Sequence, residues 1–252
     1  MRDDIEILDE YSSAFRDLVN TRVGVQGEPP ASLLRLNSSN DWSFICVAMD
    51  IVGDSSLAMH NFARFSLDGP TKYEEVGERY LRLYGLLSAV YIQQQALIKL
   101  YSLTNCPSPA EKKKQFELLK IRELRHKLSS HGLDYLESDR SVPYAYVPVR
   151  MELQKYSCTI TKNRGDSSET VNIGEALSEH CKLAVSVLDS IYEKSVKTLF
   201  KGQQTRIDEF NEKLEELRAL RRGAVIFRAP QNGNTSEVTR VVIDAAKDEP
   251  NI

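Results

Sequence analysis

No two of the four cysteines in this chain (Cys46, Cys106, Cys158 and Cys181) stand as a CxxC pair, and none has metal-ligand spacing to a histidine. That argues against a disulfide scaffold or a small zinc module and fits reduced, buried thiols. The chain also lacks GxSxG, a P-loop, a glycine-rich dinucleotide turn and HExxH, the common signatures of several enzyme classes. It has no excess of positive charge: 33 Lys and Arg stand against 36 Asp and Glu, a net −3. Coating of nucleic acid by bulk charge is therefore excluded, and any such contact must be a local patch. Runs of ~18 apolar residues are missing too, so neither a spanning helix nor a membrane partner is expected. The opening MRDDIEILDEY is acidic, without an apolar stretch, so no secretory signal is read there and a cytoplasmic protein is expected. Internal repeats and low-complexity segments are absent as well.

What the chain does have is an ordinary core-forming composition. At 252 residues, 41% hydrophobic and 27% charged, it suffices for one large domain or two small ones. Ile5, Leu8, Phe15 and Leu18 recur at helical spacing and predict a helix over about 3–22, broken by Gly24, Gly27, Pro29 and Pro30. Asn40 or Asp41 should cap a second helix through Trp42, Ile45, Met49 and Val52. Gly53-Asp54-Ser55-Ser56 should bend or interrupt it, and Asp68-Gly69-Pro70 should stop it. A long helix over about 72–103 turns Val76, Tyr80, Leu83, Leu87, Val90 and Tyr91 inward. After the turn Cys106-Pro107-Ser108-Pro109, another helix covers about 110–131.

The period then changes. Tyr156, Cys158 and Ile160 alternate with Ser157, Thr159 and Thr161, and Val171 and Ile173 continue the pattern beyond the turn Asn163-Arg164-Gly165-Asp166. A β-hairpin is expected within 144–174, with a third strand between Tyr144 and Leu153 that Pro148 confines to an edge. Helical spacing returns over 175–200 and 203–222. In the second of these, Ile207, Phe210, Leu214 and Leu217 form a stripe too short for a free coiled coil, so it needs a partner surface. The expected organisation is a helical part over 1–140, the hairpin insertion over 141–174, and helices over 175–222 packing on the bundle. A loosely held tail would occupy 223–252, with short apolar runs at 224–227 and 241–243. The fold class is mainly α: an antiparallel helical bundle with a small inserted hairpin and a long C-terminal helical pair.

One stretch, IRELRHKLSSHG over 121–132, points at chemistry. An imidazole moves protons near neutral pH, and a guanidinium holds phosphate or developing negative charge. Arg125 and His131 are separated there by five residues. With 18 arginines and four histidines, three permitted spacings would give about 0.9 such matches by chance, so the surroundings must carry the argument. Taking about 100° per residue and centring the apolar stripe on Ile121, the residues Leu118, Leu124 and Leu128 fall within about 60° of it. Arg125 then lies near about +40° and His131 near about −80°, both flanking the stripe, while His126 near about 140° points away. From Glu111 to Lys127 seven basic residues (Lys112, Lys113, Lys114, Lys120, Arg122, Arg125, Lys127) outnumber three acidic ones (Glu111, Glu117, Glu123). That is a local surplus in an acidic protein. Taken alone, the lysines fit a solvated helix face, and a helix-terminal histidine fits the C-terminal dipole.

At these residues the chain resembles the HEPN family, small helical domains of prokaryotic toxins, defence systems and RNA-processing factors. Members carry text such as IR-x-x-R-N-K-x-x-x-H near a helix end. Here it reads Ile121-Arg122-Glu123-Leu124-Arg125-His126-Lys127-Leu128-Ser129-Ser130-His131. The resemblance covers about residues 72–135. It implies a metal-independent endoribonuclease without cofactor, acting in toxin or antiviral defence, with its site between two copies of the motif in a homodimer. Arg125 would bind phosphate and His131 would be the acid/base. His126, in the polar position after the arginine, would contact RNA together with Arg122 and Lys127 on the basic helix 111–127. A neutralising or regulatory protein partner is also implied. The tyrosine that one toxin subgroup places two residues after the histidine is Leu133 here, and the hairpin is foreign to a minimal four-helix member. The alternative from another class is a non-catalytic helical module that binds a protein partner or a nucleotide.

Overall fold

Apolar residues spaced three and four apart turn most of this chain into helix. The computed structural model describes residues 1–24, 31–71, 75–137, 142–228 and 240–243. Through them run α1 (Arg2–Gly24), α2 (Ala31–Leu34), α3 (Ser39–Phe65), α4 (Val76–Leu103), α5 (Pro109–Glu117), α6 (Lys120–Arg125), α7 (Ile173–Leu199) and α8 (Gln204–Arg221). The strands are short: β1 (Tyr135–Leu136), β2 (Pro143–Tyr144), β3 (Tyr146–Pro148), β4 (Ser157–Lys162), β5 (Ser167–Asn172), β6 (Val225–Arg228) and β7 (Arg240–Ile243). The protein is mainly α. The proposed breakers Gly27, Pro29 and Pro30, the first residues of the helix expected from 72, and the polar QNGNTSE segment lie outside the described residues. The apolar runs on either side of that segment pair as the antiparallel β6–β7 hairpin.

The longest helices bury one side each. Ile5, Leu8, Phe15 and Leu18 of α1, Ile45, Val52 and Met59 of α3, and Leu83, Leu87 and Leu97 of α4 join the buried face of α7 in one core. The capping residue of α3 is Ser38, two before the expected Asn40; its hydroxyl accepts from the Asn40 amide, and Asp41 completes a capping box. The helix does not break at Gly53. Ser55 and Ser56 turn inward, the Ser55 hydroxyl bonds the Ile51 carbonyl at 2.5 Å, and Gln93 of α4 donates to the Val52 carbonyl and the Ser55 hydroxyl. These bonds satisfy the polar groups that the sequence places at an expected break. Against expectation, α3 is long and apolar enough, by length and composition, to span a bilayer. Its buried positions face α1 and α4.

The α8 stripe finds its partner within the chain. Leu214 and Leu217 are buried, and the Phe210 ring lies 4.8 Å from that of Phe200 and 6.5 Å from that of Tyr192. Arg218 grips both oxygens of Asp189 on α7, at 2.9 and 2.8 Å, and also meets Glu193. Tyr11 of α1 donates to the same Asp189. One carboxylate therefore ties three helices, with the paired geometry that guanidinium favours.

β3, β4 and β5 form an antiparallel sheet in that order, with β3 and its Pro148 on the edge. Leu153, Cys158, Ile160 and Val171 are buried in the same core as the helices. Arg79 of α4 donates to the Leu153 carbonyl, and Tyr156 to the Ala63 carbonyl at the end of α3. The hairpin is thus a wall of the core and not an appended arm.

Candidate functional site

The helix expected over 110–131 is three pieces. α5 ends at Glu117, and Leu119 is extended (φ −67°, ψ 138°), so α6 starts afresh at Lys120. The break turns Leu118 out, leaving it 75% exposed, while Phe116, Ile121 and Leu124 carry the apolar contact. Residues His126–Ser130 then form a π-helical turn, closed by the His131 amide bonding the His126 carbonyl at 2.8 Å. Such turns are rare and concentrate at functional sites.

The π turn overturns the helical wheel. On an α-helix His126 and His131 would lie about 140° apart. The i→i+5 bond instead brings residue 131 back over residue 126, and their rings stack with centroids 6.0 Å apart and planes 21° from parallel. His126 therefore faces the same side as His131 and not outward.

The two arginines of α6 converge on that side. Their guanidinium carbons lie over the Tyr91 ring of α4, Arg122 at 4.2 Å and Arg125 at 3.7 Å, in cation–π contact. Arg122 Nε donates to His126 Nε2 at 2.9 Å, and Arg122 Nη1 donates to Gln94 Oε1 at 2.9 Å. Among the described residues neither guanidinium has a carboxylate in ion-pair contact, and the buried Nε of Arg125 has no hydrogen-bond partner. Burial and the charges of Arg122, Arg125 and His131 hold the His126 pKa below the ordinary histidine value of 6.5, with Glu117 weakly opposing. With its Nε2 accepting from Arg122, His126 is neutral at pH 7 and carries its proton on Nδ1. His131 is half-exposed; its Nδ1 lies 3.2 Å from Asp134 Oδ1. A proton shared with that carboxylate sits on Nδ1 and leaves the Nε2 lone pair free.

Behind the cluster lies a buried polar chain. His180 of α7 is fully buried, its Nε2 at 2.8 Å from Gln93 Oε1 and its Nδ1 at 3.4 Å from Gln94 Nε2. Burial pushes its pKa down to about 3, so it stays neutral. Gln94 thereby links His180 to Arg122, and Arg122 links Gln94 to His126. Sequence reading assigned no role to Gln94, His180 or Asp134, and placed Tyr91 only as an inward residue. The consecutive glutamines in an otherwise apolar helix were the available signal, because buried amides must be satisfied.

Lys127 goes elsewhere. It is 6% exposed, with its ammonium 2.5 Å from Glu123 Oε1 and 3.2 Å from Glu169 Oε2, over the rings of Tyr135 and Tyr146. Lys120 contacts the same two carboxylates, and Lys113 pairs with Glu117. Of the sequence-predicted site residues, Arg122, Arg125, His126 and His131 come together, and Lys127 ties the segment to β5 instead. Among the described residues no group of three His, Cys, Asp or Glu side chains is placed to hold a metal ion. The chain matches no protein-family model, no curated protein and no solved structure.

Proposed function

We propose that this protein is an endoribonuclease of HEPN type whose centre is the Arg122–His131 cluster. The observation that carries the proposal is the stacked His126–His131 pair beside two guanidinium groups that, among the described residues, have no carboxylate in ion-pair contact. His131 Nε2 takes the proton of a ribose 2′-hydroxyl, the 2′-oxygen bonds to phosphorus, and the bond to the 5′-oxygen breaks as that oxygen gains a proton. The products are a 2′,3′-cyclic phosphate and a 5′-hydroxyl. Arg125 offers its charge to the phosphate as the oxyanion develops. Neutral His126 adds an Nδ1–H donor, and the nearby guanidinium charges disfavour a second cation on the stack. No single imidazole serves as base and acid at once, so a homodimer with 110–131 at or beside the interface would supply the acid from a second copy of the motif. Roles in toxin or antiviral defence, and a neutralising partner, follow from the family resemblance alone.

A second reading has its own support. Phe44, Val47, Leu81 and Ile92 on α3 and α4 are large, apolar and exposed, which suits a non-catalytic module held by a protein partner. The α8 stripe does not add to that reading, because it is covered from within. The two are separated by incubating the protein with a panel of single-stranded RNAs, with and without EDTA, and analysing product ends. Cyclic phosphate ends in both conditions support the nuclease; RNA left intact in both sinks it.

A further inference from the structure

If the lysines nearest the motif are spent on Glu123 and Glu169, the attraction for a polyanion must come from cations elsewhere. Unpaired cations gather at the opposite end of α7. A cavity of about 380 Å³ opens between the end of α2, the α4–α5 turn and the last turns of α7, lined by Arg35, Asn105, Lys194, Lys197, Thr198 and Lys201. Lys194 and Lys197, three apart near the end of α7, share a face, and Lys201, in the turn just past the helix, lines the same cavity. Lys197 pairs with Glu193, which Arg218 also engages. Arg35, Lys194 and Lys201 form no ion pair among the described residues and are exposed.

The helix α5 connects the region of this cavity with the motif. The thiol of Cys106 lies 3.7 Å from the Ser190 carbonyl, and the Phe116 ring lies 6.0 Å from that of His180. α5 therefore runs back along α7 from residue 190 to residue 180, a rise of about 15 Å. It carries Lys112 and the exposed Lys113 and Lys114, with Glu111 and Glu117 as its acidic groups. Beyond it begins α6, with Arg122 and Arg125.

We infer that the cavity at Arg35, Lys194 and Lys201 is a phosphate-binding site for single-stranded RNA, seating the strand several nucleotides from the phosphate presented to His131. The placement relative to cleavage rests on the nuclease reading; the binding site does not. Single-strand binding by a basic groove falls with salt in proportion to the phosphates neutralised, with a slope of about −0.7 per contact.

The test uses the full chain and a fluorescent single-stranded 20-mer RNA, with binding followed by anisotropy across salt concentrations. Lys194→Gln/Lys201→Gln removes two exposed cations with no packing role, and circular dichroism verifies the fold. The salt slope should become shallower by about 1.4, with affinity near 0.1 M salt falling about tenfold or more. Unchanged slope and affinity would overturn the site. Wild-type protein that binds with this lysine dependence but cuts nothing would remove the nuclease reading and leave the site standing. Cleavage by a double variant whose slope is unchanged would do the reverse. ATP is the second probe: binding of ATP lost in the double variant, with RNA binding unaltered, would assign the cavity to a small polyphosphate and overturn the strand assignment.

Discussion

The two sides of segment 120–131 use similar residues to opposite ends. On one side Lys120 and Lys127 meet Glu123 and Glu169 in a closed ionic square that fastens α6 and the π turn to β5. On the other, Arg122 and Arg125 stack on Tyr91 with, among the described residues, no carboxylate in ion-pair contact, beside two stacked imidazoles. Positive charge on the first side is consumed by structure. On the second it is held in place by an aromatic ring and an amide, which leaves the field available to a ligand. Counting basic residues along the sequence cannot separate these fates; the partner does.

Among side-chain substitutions the largest effect should come from breaking the square. Glu123→Ala/Glu169→Ala strands the buried Lys127 ammonium and should cost about 3 kcal/mol in urea unfolding. A loss below about 1 kcal/mol would mean that the square is a surface decoration. Removing β4 and β5 should be more damaging still, because Cys158, Ile160 and Val171 belong to the common core. A deletion that still unfolds cooperatively would contradict that placement.

Next comes pH. His180 titrates near 3 when folded and near 6.5 when unfolded, so the unfolded chain takes up a proton that the folded one refuses. Its contribution is fully present above about pH 6.5 and declines as pH falls towards 3, by about 1.4 kcal/mol per unit. Stability measured at pH 7 and pH 5 should show this fall, and His180→Gln should flatten it. An equally steep loss in the variant would move the acid sensitivity to the carboxylates.

A smaller effect sharpens the other side. Arg122→Gln removes both the hydrogen bond to His126 and one of the charges that depress its titration. NMR titration should show the His126 midpoint rising towards 6.5. A midpoint that does not move would show that burial alone sets it. Lys113→Ala, which loses only an exposed pair with Glu117 at 3.8 Å, should change stability by less than about 0.5 kcal/mol and is the baseline for these comparisons.

Much of the fold was legible because apolar spacing reports helices directly: α1, α7 and α8 lie within a few residues of their expected bounds. The edge strand at Pro148 was legible for the same kind of reason, a missing donor. Gly53 misled because its neighbours Ser55 and Ser56 found a buried amide on another helix, a tertiary event that no local pattern shows. The site was half legible. Residue types named Arg122, Arg125, His126 and His131, but a wheel assumes one helical period, and the π turn at His126–Ser130 changes it where the two histidines must meet. Gln94 and His180 come from distant sequence, and only folding sets them behind Arg122.

The central claim is that the stacked histidines do chemistry and not structure, and His131→Ala tests it most directly. Cleavage of a single-stranded RNA and thermal unfolding are measured side by side on the variant and the wild type. Because His131 is half-exposed and its pair with Asp134 lies at the surface, the melting temperature should stay within a few degrees, for a cost of about 0.3–1 kcal/mol. Cleavage should be abolished. A variant that cuts RNA as the wild type does, or one whose fold melts with the loss of cleavage, would contradict the account.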